Sequence, residues 1–71
     1  MNEDILYKSI GKRIKQLREK AHLTQEKLAE KSGISLDYLG KIEVCINKPG
    51  LKTIIKISNA LNIHIKEIFN F

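Results

Sequence analysis

The chain has one cysteine, Cys45, among its 71 residues. That excludes an intrachain disulfide and any metal site built from cysteine alone. Its plain reading is a small side chain; the other, an intermolecular disulfide, is disfavoured in a reducing compartment. No run of about 18 apolar residues occurs, so no spanning helix is expected. The first residues, MNEDILYKSIGKR, lack the cationic start, apolar stretch and small-residue cleavage site of a secretory signal. A cytoplasmic protein is therefore expected. His22 and His64 are isolated, each without a second ligand or a nucleophile nearby. His22 suits a loop and His64 a helix cap. No phosphate-cradling glycine loop, catalytic triad or metal-ligand spacing is present, so neither an enzyme nor a cofactor is expected. Internal repeats, low-complexity tracts and linkers are also missing. The length suits one small domain that fills residues 1–71.

What the chain does have is apolar bulk and positive charge. Hydrophobic residues make up 42% and charged residues 30%, as in a soluble globular domain. Thirteen Lys and Arg against eight Asp and Glu leave a net charge of +5. That excess fits a polyanionic partner without requiring one. A domain this short buries only about 60% of its unfolded surface, so it needs a well-packed core or a partner subunit.

Helical spacing dominates. Over residues 5–21, Leu6, Ile10, Ile14, Leu17 and Ala21 recur at intervals of three or four, with Lys12, Lys15, Glu19 and Lys20 between them. Gly11 inside this helix costs up to about 1 kcal/mol relative to alanine. A second helix begins at Thr24, whose side chain suits the N-cap, and Glu26 suits the positive end of the dipole. Leu28 and Ala29 face inward. Gly33 stops the helix, because glycine accepts the left-handed conformation there, and Ile34 closes the apolar contact that accompanies such a stop. Ser35 caps a third helix that runs to about Glu43. The turn residues of INKPG follow. A fourth helix covers residues 51–61, with Leu51, Ile54, Ile57, Ser58 and Leu61 on one face. IKEIF makes a short fifth helix. TIIKIS is β-branched, but its spacing continues helically to Leu61. The expected fold is all-α, with five helices.

The two helices either side of SGIS form a helix-turn-helix candidate. Helices that cross steeply need a small residue at their contact, here Ala29. The tight turn needs a residue that tolerates positive φ, here Gly33. Ile34 plugs the corner, and Leu28, Leu39 and Ile42 anchor both helices. With Leu39 and Ile42 facing inward, Asp37, Gly40, Lys41 and Val44 point outward, and Leu36 and Tyr38 lie on the flanks.

LTQEKLAEKSGISLDYLGKIE, with GKRIKQLREKAH before it and PGLKTIIKISNALNI after it, resembles the Cro/CI-like (Xre-type) helix-turn-helix family of phage and bacterial regulators. The likeness covers about residues 10–70. It rests on Arg18, Thr24, Gln25, Leu28, Ala29, Gly33, Ile34, Ile42, Glu43, Leu51 and Leu61 in order. It implies a compact five-helix, lambda-repressor-like domain whose third helix enters the major groove. Small restriction–modification controller proteins and phage-type repressors are of this size and kind. The resemblance implies a sequence-specific transcription regulator, a homodimer on a palindromic double-stranded operator, blocking or recruiting polymerase.

It also implies roles. Arg18 and Glu43 match positions that pair across the core. Thr24 and Gln25 match a helix start that holds phosphate, Gln25 sometimes also a base, and free N–H groups add to the side chains; the plain reading of Gln25 is a solvated first-turn residue. Ser35, Leu36, Asp37, Gly40 and Lys41 match base-reading positions. Lys41 suits guanine O6 and N7 or, equally, a phosphate, and Leu36 suits a thymine methyl. Tyr38 offers a hydroxyl to phosphate or covers the second helix. Asp37 either accepts from cytosine N4 or supports the helix start by pairing with Lys41. Lys48, Lys52 and Thr53 match backbone-holding positions. The family has Arg or Asn and then Gly after the glutamate, whereas this chain has VCINKPG, so the path of that loop is open. At the C-terminus, Ile65, Phe69 and Phe71 are the expected dimer patch; the other reading is that they all pack inside or fray. Two other functions remain beside the main one. One is an antitoxin that regulates its own operon; the other is a protein-interaction module without DNA binding, which Asp37 and Gly40 keep in play.

Overall fold

A computed structural model describes residues 1–71. The chain forms α1 (Glu3–Lys20), α2 (Gln25–Ser32), α3 (Leu36–Glu43) and α4 (Leu51–Ala60), followed by a 3-10 turn, Ile65–Phe69. No strand forms, and TIIKIS lies wholly within α4. The expectation of five helices is thus corrected to four α-helices and a 3-10 turn. A five-residue segment closes too few i→i+4 bonds to offset helix nucleation. It uses the shorter register instead: Glu67 N donates to His64 O at 3.0 Å, and Asn70 N to Glu67 O at 3.4 Å. His64 Nδ1 caps this turn by accepting from Lys66 N at 3.1 Å.

The first helix begins earlier than its apolar spacing suggests. Asn2 Oδ1 accepts from Ile5 N at 2.9 Å, and Glu3 and Asp4 occupy the first turn, where the dipole favours acids. At the other end Ala21 is an exposed C-cap and adds nothing to the core.

Each element sends residues to one core. Ile10 and Ile14 come from α1, Leu28 and Ala29 from α2, Leu39 and Ile42 from α3, Ile54 and Ile57 from α4, and Ile68 from the 3-10 turn. Burying each large aliphatic side chain stabilises the fold by roughly 1.5–3 kcal/mol before ordering costs. Leu51 departs from the expected pattern. It is the first residue of α4 and is 63% exposed, while Pro49 just before it is fully buried. Arg13 ties the 3-10 turn to α1: its Nε donates to Glu67 O at 2.7 Å, and its guanidinium lies 3.6 Å from the Glu67 carboxylate.

Gly11 explains how closely α1 approaches the end of α3. A Cβ at this position would overlap the carbonyl oxygen of Ile42 and lie 3.1 Å from Cys45 Sγ. The glycine that weakens α1 as an isolated helix is therefore required by its packing. Gly11→Ala is expected to destabilise the protein by about 1–3 kcal/mol, as overpacking does. Urea unfolding should show a lower midpoint at unchanged slope. An unchanged midpoint would mean that the two helices part freely.

Candidate nucleic-acid interface

The α2–α3 unit is built by local signals. Thr24 Oγ1 accepts from Lys27 N at 3.0 Å and starts α2. Gly33 takes φ +70, and the N–H groups of Gly33 and Ile34 donate back to Glu30 O and Ala29 O at 3.2 and 3.1 Å. These bonds satisfy the last carbonyls of α2. Ile34 packs against the core, and Ser35 Oγ accepts from Tyr38 N at 3.0 Å to start α3.

A buried polar network fixes this unit on α1. Arg18 grips Glu43 with two parallel bonds, Nε to Oε2 at 2.8 Å and Nη2 to Oε1 at 3.0 Å. Its Nη1 donates to Leu23 O at 2.8 Å, in the connection between α1 and α2. Gln25 Nε2 donates to Glu43 Oε1 at 3.0 Å. One carboxylate thus joins α1, the start of α2 and the end of α3. The hydrogen bond to Glu43 raises the Arg18 pKa above its ordinary value, against the opposing effect of burial. A raised pKa on a cation contributes stability below the ordinary value and loses it only as pH climbs through the raised one. For arginine that lies beyond the range in which the protein is handled, so alkali does not release Arg18. No local sequence signal joins Gln25 to Glu43, which stand 18 positions apart.

The outer face of α3 brings together Leu36, Asp37, Gly40 and Lys41, opposite the buried Leu39 and Ile42, and Val44 continues it at the C-cap. Leu36 is 47% and Val44 64% exposed. Lys41 Nζ lies 3.0 Å from Asp37 Oδ2, one helical turn away. Ser35 sits at the helix start, and Tyr38 is half-buried against the core.

The loop after α3 keeps a tight path. Cys45 takes φ +67, the left-handed conformation that glycine adopts without strain. The N–H groups of Ile46 and Asn47 both donate to Lys41 O, at 2.8 and 3.2 Å. Lys48 turns toward the start of α1. Its Nζ lies 2.5 Å from Glu3 Oε2 and 3.0 Å from Asp4 Oδ1, and 5.7 Å from the centre of the Tyr7 ring. The hydrogen bond to Glu3, then that to Asp4, raises the Lys48 pKa. No local sequence signal links Lys48 to Glu3, 45 residues away, or to its neighbour Asp4. Lys52 is exposed and Thr53 half-buried in the first turn of α4, whose N-cap, Gly50, has no side chain to offer. Of the C-terminal residues, Ile65 packs on the core, whereas Phe69 and Phe71 are exposed.

Residues 14–68 match the family described as Helix-turn-helix. The chain belongs to the helix-turn-helix family. The immunity repressor protein of Bacillus phage phi105 is 40% identical over 60 residues, which make up 84% of this chain and 42% of that protein. The HTH-type transcriptional regulator ImmR of Bacillus subtilis (strain 168) is 40% identical over 55 residues, 78% of this chain and 43% of the relative. This helix-turn-helix chain therefore spans about two-fifths of the length of those curated relatives. The crystal structure of the restriction-modification controller protein C.AhdI from Aeromonas hydrophila matches with a TM-score of 0.87 at 35% identity. It covers 89% of this chain and 96% of the controller.

Removing one partner from a buried ion pair leaves the other charge uncompensated, at a cost of about 3–5 kcal/mol. Arg18→Ala is expected to lose that much, whereas Gln25→Ala should lose only about 1.5 kcal/mol, the scale of one hydrogen bond to a charged group. Thermal unfolding followed by circular dichroism separates the two. An Arg18→Ala protein that melts with the wild type would show that the pair carries no structural load.

Proposed function

We propose that this helix-turn-helix protein is a sequence-specific double-stranded DNA-binding transcription regulator, acting as a homodimer on a palindromic operator. The observation that carries the reading is the outer face of α3. It stands uncovered on a frame that α1 and α2 hold rigidly through Arg18, Glu43 and Gln25. In this arrangement α3 lies in the major groove, with Ser35, Leu36, Asp37, Gly40 and Lys41 toward the base edges. Thr24 and Gln25 meet the backbone at the start of α2. Tyr38, Lys48, Lys52 and Thr53 flank the groove, and the N–H groups at the α4 start, which no side chain caps, suit a phosphate. The net charge of +5 favours the encounter. The relatives named as repressors and regulators, and the controller that shares the fold at 35% identity, support the same role.

Two copies related by a two-fold axis would present two α3 helices about one DNA turn apart, roughly 34 Å. The exposed Phe69 and Phe71 support an apolar contact between copies, with Ile65 at its edge.

Selection from random duplex DNA should yield an inverted repeat with half-sites centred about 10 base pairs apart. Affinity for it should fall with salt, the logarithmic slope being about −0.9 for each phosphate neutralised. Recovery of no sequence would overturn the regulator reading. Sedimentation at high micromolar concentration should give a dimer. Phe69→Lys should give a monomer that binds the full repeat at least tenfold more weakly; a wild type that stays monomeric would remove the dimer.

A further inference from the structure

The exposed face of α3 has few polar groups free to read a base. Asp37 and Lys41 are engaged with each other at 3.0 Å. The Ser35 hydroxyl accepts the Tyr38 N–H, and the Gln25 amide is turned toward Glu43. Apart from Gln25 Oε1, which lies beside Gly40, the stripe between these groups is apolar. Leu36, Gly40 and Val44 follow at intervals of four and make one stripe along the helix, spanning about 12 Å at 1.5 Å per residue. Leu36 and Val44 at its ends are well exposed.

Gly40 sits in the middle of that stripe, and nothing inside the protein calls for it. A Cβ there would meet only Gln25 Oε1, at 3.9 Å, an ordinary contact. Gly11 is the contrast, since a Cβ at that position runs into backbone. Gly40 also has an ordinary helical φ, unlike Gly33. A glycine inside a helix is destabilising unless something approaches it closely. At Gly40 no group of this chain comes that close.

The only apolar group on the floor of the major groove is the 5-methyl of thymine. We infer that α3 reads its operator by apolar contact, with Leu36 set against a thymine methyl and Gly40 left bare so that the edge of a base pair comes close to the helix backbone. Val44 extends the same surface. The Asp37–Lys41 pair, exposed and one helical turn apart, borders the stripe. This inference rests on the regulator reading proposed above and specifies the chemistry of its operator: a half-site whose thymines are recognised through their methyl groups.

The experiment uses the operator obtained by selection. Uracil replaces thymine at each half-site position in turn, which removes the methyl and keeps the base pairing. One position should lose roughly fourfold in affinity, the scale of one buried methyl. In Leu36→Ala the same replacement should have no effect, since the partner of the methyl is gone. Gly40→Ala should raise Tm by several degrees, as alanine does in a helix with room for it, yet bind the operator at least tenfold more weakly. A selected operator whose affinity is insensitive to every uracil, or a Gly40→Ala protein that binds like the wild type, overturns the inference and leaves the regulator reading standing. A wild type that selects no sequence overturns both.

Discussion

A guanidinium inside a protein needs its carboxylate, and the positions of three helices follow from that one demand. Arg18 lies in the last turn of α1, Glu43 is the last residue of α3, and Gln25 is the first of α2. Their bonds meet on the two oxygens of one carboxylate. Apolar side chains of similar volume often stabilise a core equally well. What they lack is direction. Two parallel bonds from arginine fix both distance and plane, so α3 is held in register along its length as well as against the core. The fourth contact, to Leu23 O, fixes the connection that leads into α2.

The aliphatic core works with this network. Ile14 and Ile42 are almost fully buried, and Gly11 lets α1 come close enough to the Ile42 carbonyl for them to pack. Without that approach, Arg18 would sit farther from Glu43 and the pair would be wetter and weaker. Close packing and the buried pair thus depend on the same interhelical distance. The 3-10 turn closes the open end of the bundle with Ile68 and is held there by Arg13.

The parts legible in sequence are those set by neighbours along the chain. Thr24, Gly33 and Ser35 mark the ends of α2 and α3 because caps and left-handed stops act within three or four residues. The core faces of α2 and α3 were equally readable from spacing. Leu51 departs from the face its spacing predicts because periodicity does not say where a helix begins to project beyond the core. The last segment reads as a helix in sequence because apolar spacing over five residues does not separate i→i+3 from i→i+4 bonding. The partner of Gly11, the amide of Gln25 and the turn of Lys48 toward Glu3 and Asp4 depend on residues brought together by the fold. The path of VCINKPG, open in sequence, follows from Cys45 accepting a glycine-like conformation. The outer face of α3 was legible as a set of positions, and its internal Asp37–Lys41 pairing as one of two alternatives.

Lys48 ties the loop after α3 to the start of α1. Its ammonium already holds Glu3 and Asp4 and lies near the Tyr7 ring. An incoming anion must exchange with these carboxylates, and exchanging one oxygen ligand for another gains little by itself. The two acids at the start of α1 thus offset part of the positive charge that this loop would otherwise present.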